Sequence, residues 1–538
     1  MKFTQIFKAT ATASIMALAM SSVAHAVTLN MMNGSEPGSI DPHKASGDWE
    51  NRVIGDYIEG LVAEDDKADA MPGQAESWEI SEDGLTYTFH LRDGIKWTDG
   101  EPVLASDFVF AFKRLFDPKT ASEYAYLQYP IKGGSEIAEG QTVADADFGV
   151  QAPDDKTVVI TLEGPTPFFL QALTHYTAYP LPQHLLEKVG DDWTKVENVV
   201  ANGPFMITEW VPGSYIKSVK NPDYYDAANV KIDEVNYFVQ DDLAAAFNRY
   251  RAGEYDILTD APGDQQQMIT DTMPGEGHFA PFLGVYYYVI NQEKPPFDDV
   301  EIRKALSMAI NRDVIGPDVL GTGELPAYGW VPEGTANYEG VEPYMPEWAA
   351  LPYEEKVAQA AAIMAEKGYT PEKPLTLQLK YNTNDNHQRV AVAISSMWEQ
   401  IGVKAELFNS ETAVHYDSLR AGDFDVGRAG WLLDYSDPSN VLDLLTTGIK
   451  QGDDVNWGNN YGRYSNPKYD ELMKSAAAEA DLAVRAKALG EAETLGMDEF
   501  AAIPIYWYIS ANVVKPTVTG FVDNAKDIHR TRWLTKSE

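Results

Sequence analysis

Segments of two kinds alternate along the chain: short runs that switch between apolar and polar residues, and longer stretches with apolar residues every three or four positions. The first pattern is typical of half-buried strands and the second of amphipathic helices. It predicts strands at 27–32, 87–91, 156–160, 216–219, 234–239, 286–290, 375–381, 403–408 and 503–508. It predicts helices at 50–61, 106–114, 303–310, 351–367, 388–401 and, as one helix or two, 469–495. Ser106 or Asp107 is the predicted N-cap of the helix at 106–114. Interleaved strands and helices indicate an α/β fold with mixed sheets.

The first twenty-six residues form a segment of a different kind. Lys2 and Lys8 precede an apolar stretch at 15–20, and Ala24-His25-Ala26 fits a small-x-small cleavage site. The apolar stretch is much shorter than the roughly 20 residues that a membrane-spanning helix needs, and no later segment reaches that length. We therefore expect a signal peptide over 1–26, cleaved near Ala26, and no direct membrane insertion of the mature chain.

The length and composition of the chain indicate how many domains it has, which compartment it occupies and which partners its charge disfavours. A chain of 538 residues exceeds what one core normally holds, so two or three domains are expected. The absence of cysteine excludes a lipid-anchoring cysteine, a disulfide and a thiolate nucleophile, which favours a free protein in a Gram-negative periplasm. The formal charge of -40 disfavours binding to nucleic acid, because phosphate backbones are repelled. We attribute this charge to solubility or salt adaptation rather than to long-range steering of ligands.

Catalytic patterns are weak. The nine histidines include no pair at the helical spacing of zinc ligands, and the chain has neither a Gly-x-Ser-x-Gly elbow nor a phosphate-binding Gly-x-x-x-x-Gly-Lys run. With 82 acidic residues, a pair of catalytic carboxylates remains an open alternative. No metal and no cofactor is expected, and a secreted hydrolase is the less favoured function.

One acidic residue, Asp434, ends a strand-like run. It follows Arg428-Ala429-Gly430-Trp431-Leu432-Leu433, in which small, aromatic and aliphatic side chains alternate. A carboxylate at the end of a buried strand, beside Trp431 and Tyr435, is costly to desolvate unless a cation pairs with it. The α-ammonium group of a peptide is such a cation. The alternative is that Asp434 only caps the following turn at 435–438.

Three local patterns resemble the extracytoplasmic solute-binding proteins of ABC peptide importers, family 5. The most specific runs from Ala75-Glu76-Ser77-Trp78-Glu79 through 84–103 to Asp107-Phe108. The others are Asn202-Gly203-Pro204-Phe205 with 221–225, and 294–300 with 303–306. The similarity runs nearly end to end after residue 26. We interpret the first pattern as scaffold, since its turns and aromatic residues suit a compact hairpin and helix away from any ligand.

The resemblance implies a two-lobed periplasmic-binding-protein fold with two hinge crossovers and an extra inserted domain. The first lobe would comprise 27–58, 184–283 and 510–538. The inserted domain would be 59–183 and the second lobe 284–509. In that family an extended peptide is enclosed between the lobes.

The resemblance also implies ligand-binding residues. Asp434 matches the aspartate that takes the N-terminal ammonium, and Gly430, Trp431 and Leu432 would offer backbone groups to the peptide as β-augmentation. Further expected neighbours of the peptide are Ser46, Gly47 and Asp48 from the first lobe, and the aromatic residues Tyr126, Tyr506 and Tyr508.

Arg428 and His387 match two positions that hold the C-terminal carboxylate in this family. The alternatives are a structural ion pair for Arg428 and a surface turn for His387. Leu320 and Leu419 stand where oligopeptide-binding members have a lysine and a second arginine, although the adjacent Arg420 could substitute. These departures leave the length of the peptide open.

The resemblance therefore implies a monomeric periplasmic receptor that captures short peptides and delivers them to an inner-membrane ABC permease. Relatives that bind murein peptides, opines, nickel chelates or oligosaccharides provide the alternatives. An aspartate at position 434 favours a ligand with an amine over a sugar.

Overall fold

The computed structural model describes residues 26–451 and 454–537. The expected signal peptide, apart from Ala26, lies outside the described residues. The described chain is mixed α/β, as predicted, and its strands form two large sheets, one four-stranded sheet and three two-stranded ribbons. None of its helices combines the length and the apolar composition needed to cross a bilayer.

The described strands and helices are numbered here in chain order. The strands are β1 Thr28–Gly34, β2 Val62–Glu64, β3 Ala70–Pro72, β4 Ala75–Ile80, β5 Thr86–Leu91, β6 Val150–Asp154, β7 Thr157–Thr161, β8 Phe205–Val211, β9 Tyr215–Lys220, β10 Glu234–Val239, β11 Ile257–Leu258, β12 Gly277–His278, β13 Pro281–Ile290, β14 Leu325–Pro326, β15 Leu375–Asn382, β16 Val403–Ser410, β17 Val426–Leu432, β18 Ile449–Gln451, β19 Asp454–Asn456, β20 Ile503–Ile509, β21 Asn512–Val514, β22 Val518–Thr519 and β23 Thr535–Lys536. The α-helices are α1 Asp48–Tyr57, α2 Ala105–Phe116, α3 Gly134–Ala138, α4 Phe169–Ala172, α5 Gln183–Val189, α6 Leu243–Arg251, α7 Gln266–Thr272, α8 Val300–Met308, α9 Tyr353–Glu366, α10 Asp385–Glu399, α11 Thr412–Ala421, α12 Ser439–Leu442, α13 Pro467–Ala477 and α14 Leu482–Asp498.

The first large sheet has the order β12-β21-β11-β1-β10-β9-β8. Its central strand β1 pairs in parallel with β10 and β11, while β8, β9 and β10 form an antiparallel meander. β1 buries Leu29, Met31 and Met32, which explains its apolar pattern. The strands of this sheet come from three separated parts of the chain.

The second large sheet has the order β14-β20-β13-β17-β15-β16. β13 lies inside it, between β17 and β20, and is buried along nearly its whole length. Parallel strands β15 and β16 flank helix α10, which packs on this sheet through Val390, Ile394 and Trp398. A second apolar cluster covers the opposite face, so β13 is a near-continuous hydrophobic run rather than an alternating one.

Residues between β1 and β8 build a smaller unit, the antiparallel sheet β4-β5-β7-β6 with helix α2 against it. Trp97 is fully buried there, and its indole Nε1 donates to Asp107 at 3.2 Å. The predicted cap of this helix is wrong, because Leu104 is the N-cap residue. Asp107 instead lies in the first turn and accepts the Leu104 N–H at 3.0 Å.

The chain crosses between the two large sheets twice. It passes from β12 to β13 between His278 and Pro281, and it returns from β20 to β21 between Ile509 and Asn512. The two crossing segments touch, since the Ser510 N–H donates to the Ala280 carbonyl at 2.7 Å. This is the two-lobed arrangement with two hinge crossovers that the resemblance implied.

All nine predicted strands and all the predicted helices are present, with ends that differ by a few residues. The helix predicted over 50–61 ends at Tyr57, and the stretch 469–495 contains two helices, α13 and α14. Asp481 caps α14 by accepting the Ala483 N–H at 3.0 Å, and this cap separates the two helices.

Candidate functional site

Asp434 lies two residues beyond the end of β17, and its side chain is only 13% exposed. No lysine or arginine of the described chain lies within 4.0 Å of its carboxylate, and the nearest basic side chain is His175, with Nε2 3.6 Å from Oδ1. Burial lowers the pKa of His175 to about 3, so this imidazole is neutral and does not balance the carboxylate. Among the described residues, Asp434 is therefore a buried acid with no charged cation in contact with it.

Burial also raises the pKa of Asp434 itself, to about 7. Desolvation disfavours the charged form, and the hydrogen bond from Asn440 and the more distant charge of Lys526 only partly offset it. A cation that enters this space would restore the ionised form. The carboxylate is therefore arranged to pair with a group that the described part of the chain does not place against it.

Asn440, at the second position of α12, holds Asp434 in place. Its Oδ1 accepts both the Asp434 N–H at 3.1 Å and the Trp431 Nε1–H at 2.8 Å, and its Nδ2 donates to Asp434 Oδ2 at 3.2 Å. Asn440 is fully buried. One amide thus fixes the end of β17, its neighbouring indole and the carboxylate together. No hydrogen bond joins the Asp434 side chain to the turn at 435–438, as turn capping would require.

The other wall of this space comes from the part of the chain between α2 and β8. Tyr124 stacks on Trp431 with ring centroids 6.0 Å apart and an interplanar angle of 8°. The ring centroid of Tyr124 also lies 5.5 Å from that of His175, on which it stacks, and 5.8 Å from that of Tyr126. Burial raises the pKa of both tyrosines, and the charge of Asp434 adds to this shift.

Arg428, on β17, is the cationic counterpart of Asp434. It is 6% exposed, and no carboxylate lies within 4.0 Å of it among the described residues. Its guanidinium donates instead to neutral oxygens, to Tyr508 at 2.7 Å, Asn382 at 3.1 Å and Tyr416 at 3.3 Å. It also lies 4.7 Å above the ring of Tyr286. The structural ion pair considered above is absent from this part of the chain, and a buried guanidinium of this kind suits a carboxylate ligand.

Between Asp434 and Arg428, the backbone N–H and C=O groups on one edge of β17 have no partner strand in the described chain. β15 pairs with β17 only at Val426 and Gly427, so no strand of the described chain covers the edge beyond them. On the other edge the Leu433 N–H bonds to β13, and strand alternation then directs the N–H and C=O of Gly430 and Leu432 outward. This is the edge at which β-augmentation was predicted, with Gly430 and Leu432 rather than Trp431 presenting the groups.

Gly430 is needed at this edge. A β-carbon there would lie 2.5 Å from the Tyr508 hydroxyl and 3.0 Å from an Arg428 amino nitrogen. Any side chain at position 430 would thus displace the group that positions Arg428. Trp431 points to the opposite face of the sheet, into the cluster that contains Val285 and Tyr287.

Of the remaining expected residues, His387, Tyr506 and Tyr508 lie next to the ring of Tyr286. His387 lies 5.5 Å from the ring of Tyr286, and burial together with Arg428 lowers its pKa well below the usual range, so it is neutral. Tyr506 and Tyr508 lie on β20 with their ring centroids 5.4 Å apart. Ser46, Gly47 and Asp48 stand at the start of α1, where Glu50 accepts the backbone N–H groups of Ser46 and Gly47.

Arg420 differs from Arg428 because its guanidinium already has acidic partners. It lies 2.8 Å from Asp417 and 3.4 Å from Glu123, which belongs to the segment before β6. The second contact joins the part of the chain that carries β17 to the part that carries Tyr124. The prediction that Arg420 holds a ligand carboxylate stays a prediction.

Other contacts across the same boundary are tight. Phe168 stacks on Tyr435 with ring centroids 4.1 Å apart and planes 3° from parallel. The Ser436 N–H donates to Gln171 Oε1 at 2.9 Å. These contacts enclose Asp434 from the side of the small sheet, as in a closed cleft.

Sequence reasoning missed His175, Tyr124, Gln171 and Asn440. The first three lie more than 250 positions before the residues that they contact, so no local pattern connects them. Asn440 carried a weak signal, since it follows Asp434 by six positions in a turn-rich stretch.

Comparisons with known proteins agree with this geometry. Residues 69–453 match the model of the bacterial extracellular solute-binding proteins, family 5. The periplasmic oligopeptide-binding protein OppA of Escherichia coli is 39% identical over 498 residues, which cover 92% of this chain and 89% of that protein. The crystal structure of Haemophilus influenzae OppA in complex with the peptide RPPGFSPFR superposes with a TM-score of 0.89 at 36% identity, covering 95% of this chain and 99% of that one.

A third relative indicates the conformation. The murein tripeptide binding protein MppA of Escherichia coli superposes with a TM-score of 0.89 at 36% identity, covering 95% of this chain and 99% of that one. The unliganded open form of MppA superposes with a TM-score of only 0.69 at the same identity, covering 95% of this chain and 98% of that one. Together with the contacts around Asp434, this difference identifies the present conformation as closed.

Proposed function

Since the chain belongs to the bacterial extracellular solute-binding proteins of family 5, we propose that it is a periplasmic receptor that binds short peptides and delivers them to an inner-membrane ABC permease. The observation that carries this proposal is the pair of buried, unpaired charges on one strand edge, Asp434 and Arg428. A peptide supplies the missing partners of both, an ammonium at one end and a carboxylate at the other.

The direction of the ligand follows from these charges. Asp434 lies at the C-terminal end of β17 and Arg428 near its beginning, so the peptide would run antiparallel to the strand. Its backbone would pair with Gly430 and Leu432 in between. Contacts of this kind do not depend on side-chain identity and suit a receptor for varied sequences.

The length of the ligand follows from the same edge. The Arg428 guanidinium folds forward over Gly430, four positions before Asp434. Four positions of extended chain span about 13 Å, the length of about four peptide residues. Leu320 stands where the resemblance places the lysine that would hold a more distant carboxylate. We therefore propose tripeptides and tetrapeptides as the best ligands.

Ligand binding would couple to closure. Tyr124, Gln171 and Glu123 meet the second lobe only when the lobes come together, and Asp434 is enclosed by the same movement. A ligand that contacts both lobes stabilises the closed form by the contacts it makes in that form alone. Nothing in this arrangement requires a bond of the ligand to be broken, and we propose no catalytic activity.

The periplasmic location, the monomeric state and the signal peptide belong to this proposal. Relatives named as periplasmic binding proteins support the location. A receptor specific for murein tripeptide is the second candidate, favoured by the superposition on MppA.

Native mass spectrometry of the protein as isolated, with identification of the released compound, tests the proposal. We expect peptides of three or four residues with a free N-terminus, bound one per chain. Ligand-free protein should then bind trialanine by calorimetry and release it unhydrolysed. A murein tripeptide as the sole ligand would favour the second candidate, and hydrolysed peptide would favour an enzyme.

A further inference from the structure

The two oxygens of the Asp434 carboxylate have different surroundings. Oδ2 accepts a hydrogen bond from Asn440 Nδ2 at 3.2 Å, whereas Oδ1 accepts none from the described residues. The His175 imidazole faces Oδ1, with its Nε2 3.6 Å away, and His175 is only 6% exposed. It reaches Asp434 from the region of the expected inserted domain, so these two side chains meet across the boundary that closure brings together.

Hydrogen bonds determine which nitrogen of the His175 ring carries the proton. The Thr177 N–H donates to Nδ1 at 3.4 Å, and the Thr177 Oγ1 lies 3.0 Å from the same nitrogen. Gln128 Nε2 donates both to this Oγ1 at 3.2 Å and to the Ala172 carbonyl at 3.0 Å. Because Oγ1 accepts from Gln128, its own proton is available to Nδ1. A neutral imidazole has a single N–H, which is therefore on Nε2 and faces Asp434.

The surroundings keep this imidazole neutral. Burial lowers the pKa of His175 to about 3, and the charges of Lys526 and Arg530 add to this shift. Both of these cations pair with one carboxylate, Glu64, at 2.7 Å each. Two positive charges and one negative charge near the ring disfavour a further positive charge. His175 thus presents a donor to Asp434 without presenting a cation.

The orientation of the ring is restrained as well. Tyr124 stacks on His175 with planes 20° apart, and the ring centroid of Tyr176 lies 3.9 Å from that of His175. The Tyr176 hydroxyl is itself fixed, since it donates to the Ala45 carbonyl at 3.2 Å. Together with the Thr177 contacts, these rings hold Nε2 toward Asp434.

A neutral donor and a charged donor would act differently on Asp434. An imidazolium would form an ion pair with the carboxylate and compete with the ammonium group of a ligand. A neutral N–H orients one oxygen and favours the ionised form of the acid, but it leaves the negative charge uncompensated. The tautomer of His175 is therefore suited to a carboxylate that has to bind a cation from outside.

We propose that His175 is a positioning residue of the ammonium site. In the ligand-bound closed form its Nε2–H donates to Asp434 Oδ1 while Asn440 holds Oδ2, so two donors fix the plane of the carboxylate and the remaining lone pairs face the ligand. The present separation of 3.6 Å is longer than a hydrogen bond of about 3 Å, and it shortens when the ligand completes the site. This inference rests on the proposed function, because it needs a ligand with an ammonium group at Asp434.

Two substitutions separate this role from a structural one. His175 Nδ1 also caps the short helical turn Tyr176–Ala178 by accepting the Thr177 N–H. Asparagine places its amide at the position of Nδ1, so it keeps this cap but has no donor at the position of Nε2. Glutamine places its amide nitrogen at the position of Nε2 and gives up the cap. A positioning role predicts that His175→Gln binds ligand better than His175→Asn, and a capping role predicts the reverse order.

The measured quantity is the ratio of the affinities for trialanine and N-acetyl-trialanine, obtained calorimetrically on ligand-free protein. A general loss of structure weakens the binding of both peptides, whereas the ratio reports on the ammonium group alone. We expect His175→Asn to lower the ratio about tenfold, since a hydrogen bond to a charged group is lost. His175→Gln should keep the ratio within about threefold of the wild-type value.

His184→Asn is the matched control, because His184 Nε2 lies 2.7 Å from Asp99 Oδ2 in a partly exposed pair of the same kind away from Asp434. It should leave the ratio unchanged. A wild-type ratio in His175→Asn, an equal loss in His175→Gln, or a lowered ratio in the control would each overturn the positioning role. If wild type prefers trialanine and the variants follow the reverse order, only this inference fails. If wild type binds neither peptide, the proposed function fails.

Discussion

Arg428 lies within strand β17, and Asp434 follows it six positions later, just after the strand ends. Neither side chain forms an ion pair with a lysine, arginine or carboxylate of the described chain. A buried acid and a buried base on one strand edge would normally be paired, because isolated buried charges are costly. Here they are held apart, by Asn440 at one end and by tyrosines at the other. The fold thus keeps two charges ready for a ligand with charges at both ends.

The first prediction concerns the cost of this arrangement without ligand. The folded pKa of Asp434, about 7, lies above its unfolded value of 3.8, so the folded protein binds more protons between these pH values. The stability contribution of this group therefore falls as pH rises from about 4 to about 7. Asp434→Asn should raise the melting temperature of ligand-free protein at pH 8 and have little effect at pH 4.

Differential scanning calorimetry of ligand-free wild type and variant at both pH values measures this difference. The free-energy gain at pH 8 should be a few kcal/mol at most, at about 1.4 kcal/mol per pKa unit. Asp313→Asn is the control, since Asp313 is exposed and has no hydrogen-bond partner among the described residues. A destabilised Asp434→Asn protein at pH 8 would indicate that the carboxylate has an internal partner.

The second prediction concerns Arg428. Replacing it with methionine keeps the length and apolar character of the side chain but removes the charge, so a peptide acid should bind about 2–4 kcal/mol more weakly. The corresponding C-terminal amide should bind both proteins with similar affinity. Isothermal titration with trialanine and its amide measures the effect. An equal loss for acid and amide would show that Arg428 does not contact the carboxylate.

The third prediction concerns Asn440, which positions Asp434 without touching the ligand. Asn440→Ala leaves the Trp431 indole and the Asp434 N–H unsatisfied, so stability should fall by about 1–3 kcal/mol. Peptide affinity should fall as well, because Asp434 loses its fixed orientation. Unfolding in urea and peptide titration measure the two effects. Normal affinity in a destabilised variant would limit Asn440 to a structural role.

The fourth prediction concerns closure. The ion pair between Arg420 and Glu123 joins the second lobe to the region of the expected inserted domain but is partly exposed, so it should contribute no more than about 1 kcal/mol. Arg420→Ala should therefore accelerate peptide dissociation several-fold and affect free acids and amides alike. Stopped-flow displacement measures the rate. A loss confined to free acids would instead assign Arg420 to the ligand carboxylate.

Features that depend on neighbouring residues could be predicted from the sequence, whereas contacts between residues far apart in the chain could not. The alternation in 428–433 predicted β17, and desolvation of a strand-end carboxylate singled out Asp434 without any knowledge of its surroundings. The resemblance to a family then implied the lobes and Arg428. The wall formed by Tyr124 and His175 could not be predicted, because its contacts depend on how the small sheet docks on the second lobe.

The helix cap at α2 shows a different limit. Asp107 was a reasonable cap by residue type, yet the helix begins two residues earlier and uses Asp107 in its first turn. Cap preferences rank residue types, whereas the position of the cap depends on where the preceding chain bends.

The most direct test of the account compares a free peptide with its N-acetylated form. Trialanine and N-acetyl-trialanine are titrated into ligand-free wild type and into Asp434→Asn. The account predicts that acetylation weakens binding to wild type by about 100-fold or more, because a buried carboxylate loses its only cation, and that the variant shows little difference between the two peptides. Equal affinities of the two peptides for wild type would contradict it.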